Sequence, residues 1–189
     1  MKYLALSLMA AQVLLILLSW LCSAAFPESG VHSLLSGEGI RWFMGKFSHI
    51  LATPLLVYIL LLAIAYGSLT RSRLRLFGKT YRERRALTIS LAWIAVYIIA
   101  VLLLTVTPHA VLLSASGSLW PSPFSDSLIP VVAFGAMTFG ALYGAIAGHY
   151  HHFADIYQAW LHGISQSAPL LLLYVVLTQF YESLCYVLP

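Results

Sequence analysis

The sequence predicts an all-α fold, a polytopic membrane helix bundle of about five transmembrane helices with short interfacial helices. Hydrophobic residues make up 61% of the chain and charged residues only 8%, and the mean hydropathy is +0.89. A soluble chain of 189 residues would have too few charged side chains to cover its surface. The lipid bilayer is therefore the expected main solvent, and 1–189 is expected to form a single integral membrane domain.

Five apolar segments are long enough to cross the hydrocarbon core, which takes about 20 residues. The predicted helices cover about 3–26, 47–69, 86–107, 127–149 and 165–187.

The most basic stretch of the chain sets the expected orientation. Arg71 to Arg85 contains seven of the ten Lys and Arg residues. An excess of Lys and Arg between two apolar segments marks a loop on the cytoplasmic side. We therefore predict cytoplasmic loops at 70–85 and 150–164, a cytoplasmic N-terminus, an external C-terminus and the cytoplasmic (inner) membrane of a bacterium. The formal charge of +4 reflects this topology, so it does not indicate a nucleic-acid partner.

The first apolar segment, Tyr3 to Phe26, is long enough to be a retained transmembrane helix. The alternative is a cleaved signal peptide, because Ser23, Ala24 and Ala25 form a possible small-residue cleavage site. The apolar run is long for a signal peptide, which favours the retained helix.

A mixed segment follows, and Ser36 is positioned to cap a short interfacial helix. The aromatic side chains of Trp42, Phe43 and Phe47 suit the headgroup boundary. The second crossing carries Pro54, which is expected to bend the helix. After the third crossing, Pro108 to Asp126 is predicted to be an external loop, because its prolines cannot complete helical hydrogen bonds.

The fourth crossing carries small residues at four-residue intervals, which lie on one face of a helix. They are Ala136, Gly140, Gly144 and Gly148. Such a face lets another helix approach to backbone contact, and we predict that it is the seam of a homo-oligomer. The spacing leaves open whether the partner helix belongs to this chain or to another copy.

Glu182, near the far end of the fifth crossing, is the candidate for proton coupling. A carboxylate at membrane depth is costly and points to a function. The alternative is a solvated residue at the interface. The same crossing has Pro169 in its expected first turn, and Gln12, Gln166 and Gln179 are candidates for pairing across helices.

A cluster of histidines follows the glycine helix. The candidate ligands are His149, His151, His152 and Asp155. On a helix His149 and His152 are three residues apart, as are His152 and Asp155, and His151 and Asp155 are four apart, so several of them could bind one divalent metal ion. Apart from this possible metal ion, we expect no cofactor. The alternatives are histidines that reach into interfacial water, or a pH sensor. The sequence contains no recognisable nucleophile motif, nucleotide-binding loop or paired carboxylates, so we do not expect an enzyme.

Several blocks of residues, taken in order, resemble the AbgT family of transporters. They are SLLSGEGIRWFM (Ser33 to Met44), ATPLLVYIL (Ala52 to Leu60), RERRALTISL (Arg82 to Leu91), SPFSDSLIPVVAFGAMTFGALYGAIAG (Ser122 to Gly148), DIYQAW (Asp155 to Trp160) and LTQFYESL (Leu177 to Leu184). The resemblance covers a little over half of the chain.

The resemblance implies transport of small organic anions, such as p-aminobenzoyl-glutamate or related antimetabolites, coupled to protons and carried out by a homo-oligomer. Members of the family also have re-entrant hairpins with glycine-rich and asparagine-rich signatures. These signatures have no counterpart here, so no transport residue is carried over. Two other functions stay open. One is an accessory or scaffold membrane protein, and the other is a histidine-based metal or pH sensor.

Overall fold

The computed structural model describes residues 2–74, 80–106 and 123–188, and these ranges are helical with short connections and no strand. The all-α prediction is confirmed. The helices are α1 (Lys2–Ala25), α2 (Gly37–Leu51), α3 (Pro54–Arg71), α4 (Tyr81–Val106), α5 (Pro123–Ala147) and α6 (Phe153–Val187), with a short 3-10 helix at Pro27–Ser29.

Within the described ranges, five helices are long and apolar enough to cross a membrane. The spans are Tyr3–Ala25, Pro54–Arg71, Tyr81–Thr105, Ser127–Ala147 and Phe153–Val187. Many large apolar side chains on these helices are exposed, as expected where lipid is the solvent. The protein is therefore an integral membrane protein. Residues 75–79 of the basic segment and 107–122, most of the predicted external loop, lie outside the described residues.

The chain forms two compact units. Unit 1 contains Met1–Val57 and Ala168–Pro189, and unit 2 contains Tyr58–Ser167. The boundaries fall inside α3 and α6.

In unit 1, polar contacts connect α1 and the segment after it to the end of α6. Gln12 Nε2 donates to Ser183 Oγ at 2.9 Å, and the backbone N–H of His32 donates to Val187 O at 3.2 Å. The buried Ser19 hydroxyl accepts from the backbone N–H of Leu34 at 3.3 Å. Each contact satisfies a polar group away from water, where an unpaired group is costly.

The predicted cap of the interfacial helix is confirmed. Ser36 has an extended backbone, and its Oγ accepts from the backbone N–H of Gly39 at 3.0 Å. This contact satisfies one of the free N–H groups at the start of α2, as Ser commonly does at this position.

The predicted second crossing over 47–69 is wrong at its start, because the structure breaks the helix at Ala52 and Thr53. Pro54 does not bend a continuous helix but begins α3. At the first position of a helix the backbone N–H has no intrahelical partner, so proline loses no hydrogen bond there. The residue before a proline is disfavoured in helical conformation, which accounts for the break. Tyr174 of α6 contacts the broken backbone: its hydroxyl bonds with Thr53 Oγ1 and donates to Leu51 O at 3.4 Å.

In unit 2, α4 and α5 pack side by side and run antiparallel. Trp93 Nε1 donates to Thr138 Oγ1 at 3.3 Å, and one turn later Tyr97 Oη donates to Val131 O at 2.9 Å. The residue number in α5 falls as the residue number in α4 rises, which shows that the two helices run antiparallel. These bonds connect polar groups across helices that otherwise present apolar side chains.

In unit 2, α3 and α6 approach closely through two glycines. A Cβ added to Gly67 would overlap Ala159 O, and a Cβ added to Gly163 would overlap Ala63 O. The two backbones are therefore in direct contact. Small residues permit this kind of packing between membrane helices.

The predicted loop over 150–164 and the predicted crossing over 165–187 join into one helix from Phe153. Pro169 accordingly lies inside α6 and not in a first turn. The 35 residues of α6 give a length of about 52 Å at 1.5 Å per residue, whereas the hydrocarbon core is about 30 Å thick. The excess length accounts for the polar segment that sequence patterning assigned to a loop.

The contact between Tyr174 and the helix break is testable by substitution. Tyr174→Phe removes the hydroxyl that bonds with Thr53 and Leu51, and should lower the free energy of unfolding by about 1–3 kcal/mol. The measurement is unfolding in mixed micelles followed by circular dichroism. Tyr157→Phe is the matched control, because Tyr157 is exposed on the same helix. Equal effects of the two substitutions would contradict the role of Tyr174.

Candidate functional site

Glu182 lies half-buried in the last turns of α6 and lines a cavity of about 420 Å³ in unit 1. The cavity combines acidic, basic, aromatic and apolar groups. Its lining residues are His32, Trp42, Glu182, Cys185, Tyr186 and Leu188.

Aromatic contacts fix the walls of this Glu182 cavity. The rings of Trp42 and Tyr186 stack with centroids 4.3 Å apart, and the His32 ring lies 5.6 Å from the Tyr186 ring. The His32 backbone is also bonded to Val187. These contacts bring α2, the segment before it and the end of α6 together around the carboxylate.

The Glu182 cavity has two lining side chains of acid–base type. Glu182 and His32 are a carboxylate and an imidazole that line one cavity, and groups of these types commonly donate and accept protons in proteins. Sequence patterning identified Glu182 but gave no role to His32, because the two residues are far apart in the chain.

A second polar cluster, the amide cluster, lies on the α1 and α6 helices of unit 1. It consists of Gln12, Gln179 and Ser183. Ser183 is fully buried and accepts from Gln12 Nε2. Gln12 Oε1 and both amide atoms of Gln179 are buried without a hydrogen-bond partner in the described structure. The predicted pairing of glutamines across helices is thus replaced by a contact between Gln12 and Ser183.

The small-residue face of α5 packs inside unit 2. A Cβ added to Gly140 would lie 2.6 Å from Ser68 Oγ, and one added to Gly144 would overlap the Tyr150 ring. Ser68 is itself buried, and its hydroxyl donates to Met137 O at 2.8 Å. At these two glycines the face is therefore occupied by residues of the same chain. A seam between copies stays a prediction.

The other two members of the small-residue face have different surroundings. Ala136 lines an apolar cleft, while Gly148 ends the helix at φ +82° with the Arg82 guanidinium over it. A left-handed backbone favours glycine at this position.

Tyr150 follows the end of α5 and closes over Gly144. Its hydroxyl donates to Ser68 O at 3.3 Å. Burial raises the pKa of Tyr150 to about 12, while nearby Arg71 lowers it and Asp155 raises it. The phenol therefore stays protonated at neutral pH and remains a donor to Ser68.

The structure does not assemble the predicted metal site. Asp155 Oδ2 accepts from the backbone N–H groups of His151 at 2.8 Å and His152 at 3.0 Å, so the carboxylate caps the start of α6. The buried Nδ1 of His149 has no partner in the described structure. Within residues 2–74, 80–106 and 123–188, no group of three His, Cys, Asp or Glu residues is placed to hold a metal ion.

An apolar cleft of about 560 Å³ lies between α4 and α5 in unit 2. Its floor contains Gly135, where an added Cβ would lie 3.1 Å from the Tyr97 ring. None of the described residues that line the cleft is charged.

Sequence reasoning missed the partners that complete these features: Gly67, Gly163, Ser68, Tyr150 and Ser183. The glycines and serines are small residues of ordinary type, and Tyr150 stands among His149, His151 and His152, which drew the attention instead. A signal existed for Gly67 and Gly163, since glycine is a frequent contact residue in membrane helices. The two serines carry no pattern that separates them from other serines of the chain.

The packing of Gly144 against Tyr150 generates a prediction. Gly144→Leu should lower the free energy of unfolding by about 1–3 kcal/mol, because the added side chain overpacks the contact. Gly45→Leu is the control, since nothing lies within 4 Å of a Cβ at Gly45 in α2. Unfolding and size-exclusion chromatography are measured together. Loss of an oligomer without loss of stability would instead identify a seam between copies.

Comparisons with known proteins identify the family and the fold. A family model described as the AbgT putative transporter family matches residues 75–186. No curated protein matches the chain. In fold, the chain is similar to the YdaH transporter of Alcanivorax borkumensis, whose crystal structure is described as having an unusual topology.

The likeness to YdaH has a TM-score of 0.78 and covers 97% of this chain and 70% of that chain, at 15% sequence identity. At this identity the likeness shows a shared fold. The family match extends over more than half of the chain. On that match, this chain belongs to the AbgT transporter family.

Proposed function

We propose that the protein transports a small organic anion across the cytoplasmic membrane, with Glu182 as the group that carries the coupled proton. The anion is p-aminobenzoyl-glutamate or a related antimetabolite, as the family resemblance implies. The observation that carries the proposal is membership of a transporter family by an integral membrane chain.

The surroundings of Glu182 support its assignment. The side chain is half-buried, so it is held by the protein and still reaches a cavity. A proton-coupled carrier requires a carboxylate whose protonation alternates, and carboxylates at membrane depth are usually functional. His32 lies in the same cavity and supplies a second group for proton exchange.

A homo-oligomer is part of this proposal. Many large apolar side chains of α1 and α4 are exposed, among them Leu14, Leu18, Ile99 and Leu103. In a bilayer, an apolar helix surface can pack against lipid tails or against another copy of the protein, because both are apolar. The oligomer therefore needs no polar interface.

The second candidate is an accessory or scaffold membrane protein. The matching region covers 70% of the YdaH chain, so part of that transporter has no counterpart in the alignment. The cleft between α4 and α5 is also apolar, which suits a packing surface better than an anion pathway. In this alternative the protein binds a partner or lipid and moves no solute.

Transport in proteoliposomes separates the two candidates. Labelled p-aminobenzoyl-glutamate should move across the membrane faster with an imposed pH gradient than without one. Glu182→Gln should abolish this stimulation while leaving exchange at equal pH, because the side chain keeps its size but no longer carries a proton. The control is Glu28→Gln, since Glu28 is exposed.

Two results would contradict the proposal in different ways. Full stimulation in Glu182→Gln would remove Glu182 as the proton carrier and leave transport intact. No movement of the labelled anion through the unaltered protein, at any gradient, would favour the accessory function.

A further inference from the structure

The amide cluster of unit 1 contains polar atoms that none of the described residues satisfies. Gln12 Nε2 is bonded to Ser183 Oγ at 2.9 Å, but Gln12 Oε1 is unpaired. Gln179, one helical turn before Ser183, has neither amide atom paired within the described structure. Buried polar groups are nearly always hydrogen-bonded, so three such atoms together indicate a partner other than the described residues.

A cavity of about 250 Å³ adjoins these amides. Both glutamines line it, and the rest of its wall is apolar. The apolar lining residues are Met9, Val13, Phe47, Val175 and Val176. A cavity of about 150 Å³ is large enough for benzene, so this one has room for an aromatic ring with a polar substituent.

The amide atoms of Gln179 are screened by their neighbours in this conformation. A glutamine side chain has several staggered rotamers. Because Gln179 already lines the cavity, a change of rotamer is the adjustment by which its amide reaches a ligand there.

The unpaired donor and acceptor atoms indicate which functional group a ligand would need. The protein offers one donor group, Gln179 Nε2, and two acceptors, Gln179 Oε1 and Gln12 Oε1. A primary carboxamide offers the complement, one acceptor oxygen and an NH₂ group with two donors. An ionised carboxylate has acceptors only and would leave both glutamine oxygens unpaired. No charged side chain lines the cavity, which also favours a neutral ligand.

We propose that the cavity beside Gln12 and Gln179 is a binding site for a neutral aromatic amide. The carboxamide pairs with the Gln179 side chain through two hydrogen bonds and donates its second N–H to Gln12 Oε1. The ring lies against the apolar wall that includes Phe47. Binding here goes beyond the proposed transport function and does not require it.

Binding of benzamide to the full chain in lipid nanodiscs tests the site. The chain contains four glutamines, Gln12, Gln158, Gln166 and Gln179, and ¹⁵N labelling makes their side-chain amides visible by NMR. Benzamide should shift the Gln12 and Gln179 signals saturably and leave those of the exposed Gln158 and Gln166 unchanged. Toluene, which lacks the carboxamide, and ionised benzoate, which lacks donors, should not produce these shifts.

Gln179→Met keeps the size of the side chain and removes its amide. It should weaken benzamide binding about tenfold or more, as expected for lost hydrogen bonds in a screened site. Gln166→Met is the control and should leave the affinity unchanged. Where Gln179→Met does not fold, the comparison of benzamide with toluene and benzoate on the unaltered chain decides the question.

Three results would overturn the proposal. Equal shifts with benzamide and toluene would show an apolar cavity without amide recognition. Shifts of all four glutamines would show partition into the bilayer. No shift with any compound would show that water alone fills the cavity. Transport of the labelled anion tests the proposed function separately, because neither glutamine is assigned to it.

Discussion

The structure depends on one constraint: inside hydrocarbon, every backbone N–H and C=O needs a partner from the protein. Continuous helices meet it by themselves, and the interruptions of the helices require added donors. At the break between α2 and α3, Tyr174 bonds with Thr53 and Leu51. At this break Leu51 O also accepts from the backbone N–H of Thr53 at 2.9 Å, so backbone and side-chain donors together satisfy the interrupted segment.

The same constraint shapes the contacts between helices in each unit. In unit 2, Tyr97 donates to Val131 O one residue after Pro130, which lies inside α5. In unit 1, Ser183 accepts from Gln12 across α1 and α6. Lipid gives helices no hydrophobic reason to associate, so these hydrogen bonds and close backbone contacts determine which faces meet.

Hydropathy and charge were sufficient to predict the number of long apolar helices, because each such helix is recognised from properties averaged over about 20 residues. The Ser36 cap was also predictable, since capping depends on residues close in sequence. The break before Pro54 was not, because the end of α2 and the start of α3 are both largely apolar and an average runs through it. The start of α6 at Phe153 was missed for the converse reason: its first turns are polar although they are helical.

For the candidate sites, too, local features were predictable and long-range contacts were not. Four-residue spacing showed that α5 has a small-residue face, but it could not show that Ser68 and Tyr150 fill it. Both residues come from other parts of the chain. Likewise, Glu182 was recognisable as an acid in an apolar helix, whereas its neighbour His32 lies about 150 residues earlier in the sequence. Long-range contacts of this kind leave no periodic signal in a single sequence.

Within one turn of α6, neighbouring residues have different environments. Glu182 reaches a mixed cavity with His32 and Trp42, while Ser183 is fully buried and bonded to Gln12. Successive residues point about 100° apart around a helix of 3.6 residues per turn. The last turns of α6 therefore serve both the Glu182 cavity and the amide cluster of unit 1.

The direct backbone contact at Gly67 and Gly163 has a thermal consequence. Association of helices in lipid gains stability from atomic contact and not from the release of water. Cooling reduces the stability that a protein gains by burying apolar surface away from water. This loss does not occur at a contact that displaces no water. The crossing of α3 and α6 should therefore keep its strength at low temperatures at which water-driven cores begin to loosen.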